Sequence, residues 1–199
     1  DIDNEPYPII GNRNKIMSAM GKMPNGKGFI FSTKTGKGFI PLDKKNELLS
    51  KNKKYNDVVK EYLGGNELNN SPSLRSDRYI LDFGSRNYNQ SLHYEEAIEI
   101  LRKTVHPFSK RSDWWLFQNR AIEVNQRIKE LDLKRVIVMA ETSNTFAAAF
   151  TNTENVCCAK TIIIFTDDTY SAFLIIQSRL HEYWSRTVSC TLKDDFRYV

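Results

Sequence analysis

Cysteine is scarce. Three in 199 residues, an odd number with Cys157 and Cys158 adjacent and Cys190 alone, leave no room for a disulfide framework, so a reducing, cytoplasmic location is expected. Long hydrophobic runs are missing too. No stretch approaches the roughly 18 apolar residues of a membrane span, and residues 1–7 are acidic where a secretory signal is basic and then apolar. Blocks of like charge are absent. The net charge of +5 and pI of 9.0 favour a polyanionic partner without marking a basic tail.

Catalytic signatures are equally thin. The three histidines, His93, His106 and His181, have no Cys or Glu at a ligand spacing, and a zinc site needs three or four converging ligands. The duplicated "GKGFI" at 26–30 and 36–40 is not a phosphate loop. Neither lysine is followed by Ser or Thr, and Phe31 and Pro41 stand where a third glycine belongs. No G-x-S-x-G elbow occurs. Asp167-Asp168 reads as a helix cap, "ELDLK" (130–134) ends a helix where a metal nuclease needs a sheet, and "NEPY" (4–7) lacks the second proline of an adenine-holding loop. The expectation is therefore no catalytic residue and no metal in this chain.

What is present reads as one domain over 1–199, with residues 1–25 as a candidate linker from a preceding domain. The 40% hydrophobic content is enough for a substantial core. "GKGFIFSTKTGKGFI" predicts a β-hairpin, residues 43–62 a helix closed by Gly64-Gly65, and "RYILDFG" (78–84) a strand. Ser91 is the expected cap of a helix whose apolar face is Tyr94, Ile98, Leu101 and Val105, and 114–131 reads as a further helix. "RVIVMAE", "TFAAAF" and "VCCAKTIIIFTD" predict neighbouring antiparallel strands, with Cys157 and Cys158 on opposite faces. Residues 170–186 predict a single helix with Phe173, Ile176, Leu180, Tyr183 and Thr187 on one face. The fold class is α+β: a mixed, largely antiparallel sheet covered by helices. On these grounds a nucleic-acid module, a protein-interaction domain and an enzyme with an unrecognised site all stay open.

Six segments in order narrow the choice: "GKGFIPL", "EYLGGNELNNSPS", "RYILDFG", "VHPFSKRSDWWLF", "FTDDTYSAFLIIQSRLHEYWS" and "LKDDFRY". Together they resemble the target recognition (specificity) domain of the MmeI-like type IIG restriction-modification enzymes and related adenine-specific DNA methyltransferases. The likeness runs from residue 36 to 199. It implies a scaffold role for the "DDxYSxxxxxxSxxHExW" residues, with Trp184 packing the helix. Relatives continue past "RY" and no Met opens this chain, so an excised piece of a larger polypeptide is expected.

The resemblance further implies duplex DNA as partner, together with the methyltransferase domain of the same polypeptide. No cofactor is expected in this fragment, and S-adenosylmethionine is expected in the parent. Base-reading side chains are expected before and after the long helix, at Ser143, Asn144, Arg186, Thr187, Ser189, Thr191 and Lys193. Phosphate contacts are expected from Lys27, Lys34, Lys37, Arg75, Arg78, Arg179 and Arg197, with Lys110 and Arg111 as weaker candidates. The rival reading is a docking domain within the same enzyme that touches DNA little.

Overall fold

The computed structural model describes residues 18–33, 38–71, 73–192 and 195–198. In chain order its elements are β1 (Ser18–Met20), β2 (Ile30–Ser32), β3 (Ile40–Pro41), α1 (Leu42–Lys51), β4 (Val59–Leu63), α2 (Gly65–Asn70), β5 (Tyr79–Leu81), α3 (Tyr88–Ser91) and α4 (Glu95–Thr104). There follow α5 (Ile122–Glu130), β6 (Arg135–Ala140), β7 (Thr142–Ser143), β8 (Ala148–Asn152), β9 (Val156–Cys158) and β10 (Ile162–Phe165). The chain ends in α6 (Tyr170–Ile176), α7 (Arg179–Val188), β11 (Cys190–Leu192) and β12 (Asp195–Arg197).

Three sheets form among the described residues. A mixed one runs β3-β2-β5-β4-β9, an antiparallel one β1-β10-β6-β8, and a small one β11-β12-β7. The α+β class expected from the sequence is the one observed. The apolar runs of β6 and β10 cover both faces of the antiparallel sheet, and the period of two sorts their residues. Val136, Val138, Ile162 and Ile164 face α5 through Val124 and Ile128. Ile137, Met139, Ile163 and Phe165 meet Ala172 and Ile176 of α6. The mixed sheet builds the largest core, where Phe29, Phe31, Ile80 and Leu81 pack with Ile98 and Leu101 of α4 and with Trp114 and Phe117. Each fully buried side chain of this kind contributes about 1.5 to 3 kcal/mol.

The two larger sheets share a seam. Cys157 lies in the first core and its neighbour Cys158 in the second, as alternation along a strand requires. Burial pushes both thiols up, Cys158 to about 12, so they act as core groups. Residues 18–23, within the stretch read as a linker, strap the seam. β1 pairs with β10, Gly21 N–H donates to Ile162 O and Lys22 N–H to Cys158 O. A Cβ on Gly21 would lie 2.4 Å from the carbonyl oxygens of Cys158 and Ala159, so only glycine permits this approach. Lys22 then reaches the mixed sheet, its Nζ 2.5 Å from Asp82 Oδ2.

Several local expectations change. The "GKGFI" pair is not a hairpin. Residues 27–29 make a 3-10 turn and β2 pairs with β3 in parallel, Phe31 opposite Ile40; residues 34–37 lie outside the described residues. The helix over 43–62 stops at Lys51, because Asn52 turns extended and its side chain caps a 3-10 turn. Val58, Val59 and Tyr62, β-branched and aromatic, then favour strand β4. Gly64 begins α2 rather than ending a helix. Asn87, not Ser91, caps the approach to α4, its side chain accepting from Gln90 N–H, although the face Tyr94, Ile98, Leu101 and Val105 is buried as expected. Of 114–131 only α5 is helical. The 170–186 helix breaks at Gln177, and Ser178 caps α7 afresh.

The break turns α7 over. Leu180, Tyr183, Trp184 and Val188 are exposed while Ser185 is buried. The expected apolar face therefore looks outward, and Trp184, 60% exposed, does not pack the helix against the core. Asp167 acts on α6 through an intermediary: its Oδ1 accepts from the N–H and Oγ1 of Thr169, whose Oγ1 accepts from Ala172 N–H.

Candidate nucleic-acid interface

β6 leaves the antiparallel sheet at Glu141 and enters the small sheet as β7, where Ser143 pairs with Phe196 and Thr142 with Arg197. β12 pairs onward with β11. Two ties hold this edge to the body. Arg197 donates through Nε (3.0 Å) and Nη2 (2.8 Å) to Glu141 Oε1, and Tyr198 N–H donates to Glu141 O at 2.8 Å. The Tyr198 ring packs among Phe146, Phe165 and His181, with its hydroxyl 3.0 Å from His181 Nε2. Burial lowers His181 from its ordinary value and raises Tyr198, so near neutral pH the contact joins two uncharged groups.

Of the expected base readers, the six that are described fall on or beside this edge, with unequal freedom. Asn144 is exposed at the turn after β7 and has no partner among the described residues. Ser143 is only 9% exposed, and its Oγ accepts from Thr145 N–H, so its hydroxyl serves the turn. Thr187 donates to Tyr183 O on α7, Ser189 caps that helix, and Thr191 lies on β11 opposite Phe196. Arg186 and Arg179 both bond Glu182, at 3.0 and 2.9 Å, and these bonds, that of Arg186 first, hold the Glu182 carboxyl below its usual range. Lys193 lies outside the described residues.

The expected phosphate contacts scatter. Lys27 is exposed, 5.1 Å from the Phe39 ring centroid, whereas Lys34 and Lys37 lie outside the described residues. Arg75 is exposed but paired with Glu61 at 3.2 Å. Arg111 is paired with Asp113, and Lys110 is exposed. Arg78 is a brace: its Nε and Nη2 donate to Glu67 at 2.7 to 3.1 Å, and Glu67 also accepts from Gly64 N–H at the start of α2. Its charge is committed inside the fold, as is that of Arg197. Glu141, Tyr198 and His181, which set the edge in place, carried no signal as a group, because their partners are remote in sequence. Among the described residues no three metal-ligating side chains come together, and no helix is long and apolar enough to cross a membrane.

The body is thus an α+β module of two larger sheets carrying a small three-stranded edge. The family described as "MmeI, target recognition domain" matches residues 4–199, and this chain belongs to it. Among solved structures, a chain of the Type IIL restriction-modification enzyme MmeI in complex with DNA matches with a TM-score of 0.59 and 14% identity, over 92% of this chain and 23% of that one. At this identity the likeness is one of fold, and the chain spans about a quarter of its neighbour's length. No curated protein sequence matches.

Proposed function

We propose that this chain selects a stretch of duplex DNA through the β7–β12–β11 edge, as the recognition module of a larger adenine-specific restriction-modification enzyme or methyltransferase. The family match over 4–199 is the observation that carries the reading. The edge supports it physically. A short β ribbon anchored by Glu141 and Tyr198 offers Asn144 free to solvent, and an Asn side chain can pair adenine N6 and N7 in the major groove. Covalent work belongs to a neighbouring domain, which would bind S-adenosylmethionine and extrude an adenine for N6 methylation; DNA cleavage, where the parent has it, would belong elsewhere as well. A cytoplasmic setting follows from that role.

The exposed stripe of α6 and α7 suits the same arrangement. Leu180, Tyr183, Trp184 and Val188 repeat at helical spacing on the outer face, and a contiguous apolar surface of this kind marks a contact with another protein part. We assign it to the methyltransferase domain of the same polypeptide. This stripe also favours a second reading, a docking domain with little DNA contact.

Salt separates the two. With duplexes enriched from a random pool, the chain is expected to prefer selected over scrambled sequence and to lose affinity as salt rises from about 50 to 200 mM, with a slope near 0.9 per phosphate contact. No binding at the lower salt would leave only the docking reading. Asn144→Ala is expected to relax preference at one base pair by about 1 to 3 kcal/mol, read by competition between singly substituted duplexes. Equal preference in variant and wild type would remove Asn144 from the reading set.

A further inference from the structure

A second surface, away from the reading edge, has the chemistry of an anion site. An open cleft of about 840 Å³ lies between residues 84–86, α5 and the residue pair 153–154 that follows β8. Five cationic side chains line it, Lys22, Arg86, Arg120, Lys129 and Lys134, against two carboxylates, Asp132 and Glu154. Two of the cations are neutralised, Lys22 by Asp82 and Lys134 by Asp132 at 2.8 Å. Arg86 bonds Phe83 O and lies 5.4 Å from the Tyr94 ring centroid, but among the described residues it pairs with no carboxylate. Arg120 and Lys129 have no ion-pair partner among the described residues. Arg86, Arg120 and Lys129 thus make no close ion pair among the described residues, although the Arg120 charge helps the Arg111 hydrogen bond to lower the Asp113 carboxyl, and Glu154 helps the Asp132 hydrogen bond to raise Lys134.

The presentation of Arg120 is fixed by an unusual turn. Ala121 sits in the left-handed region at φ 47°, which costs a non-glycine residue about 1 to 3 kcal/mol and persists only where its surroundings enforce it. The enforcement is visible. Asn119 Oδ1 accepts from Ala121 N–H at 2.9 Å, and Asn125 Nδ2 donates to the carbonyls of Arg120 and Ala121 at 2.8 Å each. Two asparagines thus clamp a strained bend that turns an unpaired arginine to the cleft, and Lys129 stands along α5 on the same wall.

We propose that this cleft grips DNA phosphodiesters through Arg120 and Lys129, outside the base pairs that are read. The proposal rests on the DNA-reading function above. The cleft lies at the Arg135 end of β6 and the reading edge at the Ala140 end, so six strand residues separate them, roughly 20 Å at about 3.3 Å each. That distance corresponds to about six base-pair steps of 3.4 Å, which places the grip on flanking backbone.

The test uses the 199-residue chain and the double variant Arg120→Gln, Lys129→Gln, with folding checked by thermal melting. Neither side chain has an ion pair to lose, so the melting temperature is expected to hold. The log affinity against log salt slope is expected to shallow by about 1.8, which is 0.9 for each of two phosphates, with sequence preference unchanged. A duplex trimmed to the selected base pairs should bring the wild type down to the slope of the variant. Equal slopes on long duplex overturn the proposal while leaving DNA reading intact, and absent wild-type binding removes both. Inorganic tripolyphosphate binding the wild type as tightly as duplex would make this a small-anion site and overturn the backbone assignment.

Discussion

Lys22→Met is expected to lower the unfolding free energy by about 3 to 5 kcal/mol, the usual consequence of stripping one partner from a buried ion pair. The Lys22 and Asp82 side chains are only 17% and 8% exposed. Asp82 also accepts from Gly84 N–H, so its carboxylate would stay in place without its counter-ion. Methionine keeps most of the lysine volume, which separates lost charge from lost packing. For a chain of this size the melting temperature should drop by about 6 to 20 °C, at roughly 2 to 4 °C per kcal/mol. Adding Asp82→Leu to Lys22→Met should recover much of the loss, because an apolar pair removes the orphaned charge. A variant melting within a degree of wild type would show that the strap is not held by this pair.

The same pair sets a pH signature. Burial alone would lower the Lys22 ammonium, but the Asp82 carboxylate outweighs it and holds the group above 10.5. A cation whose value is raised by folding contributes stability that is complete below its unfolded value and is lost as pH climbs through the folded one. The wild type should therefore lose stability above about pH 10.5, and Lys22→Met should lack that component. Tyr62, which burial pushes up to about 12, adds a loss of the same sign to both proteins and cancels in the difference.

Arg78→Ala is expected to cost about 1.5 to 3 kcal/mol, the range for charge-assisted hydrogen bonds to a carboxylate, while leaving the salt slope of DNA binding unchanged. Glu67 is 14% exposed and, among the described residues, would keep Gly64 N–H alone as a partner. Arg78→Lys should rescue little, since a single ammonium cannot reproduce the forked contact. Denaturant melts and binding slopes decide together. A slope shallower by about 0.9 with unchanged stability would make Arg78 a phosphate contact after all.

The parts of the fold legible in sequence are those where a single element's own pattern decides the outcome. The continuous apolar runs of β6 and β10 read as strands buried on both faces, and the spacing Tyr94, Ile98, Leu101, Val105 gave the face of α4. Where the outcome rests on remote partners, pattern misleads. "GKGFI" repeats, yet Gly28 is pressed against Thr104 O, 2.5 Å from where its Cβ would stand, and this copy curls into a 3-10 turn. Residues 170–186 have the period of one helix, but the Ser178 hydroxyl accepts from His181 N–H at 3.1 Å and starts a second helix whose apolar stripe faces out. The proposed reading edge rests on family resemblance, and its anchors left no sequence signal, because Glu141 and Arg197 are 56 residues apart. The basic cleft was not legible in the sequence, since its cations Lys22, Arg86, Arg120, Lys129 and Lys134 come from segments far apart in the chain and only folding gathers them.

Among the described residues the small sheet is tied to the larger ones by the Arg197–Glu141 ion pair, by Tyr198 and by the buried Ser143 of β7, which lies beside α2. Its described side chains, those of Thr142, Ser143 and Arg197, belong to none of the three hydrophobic interiors. On the DNA-reading proposal, a lineage that changes letters at Thr142 or Asn144 alters an overhang while the load stays in the walls.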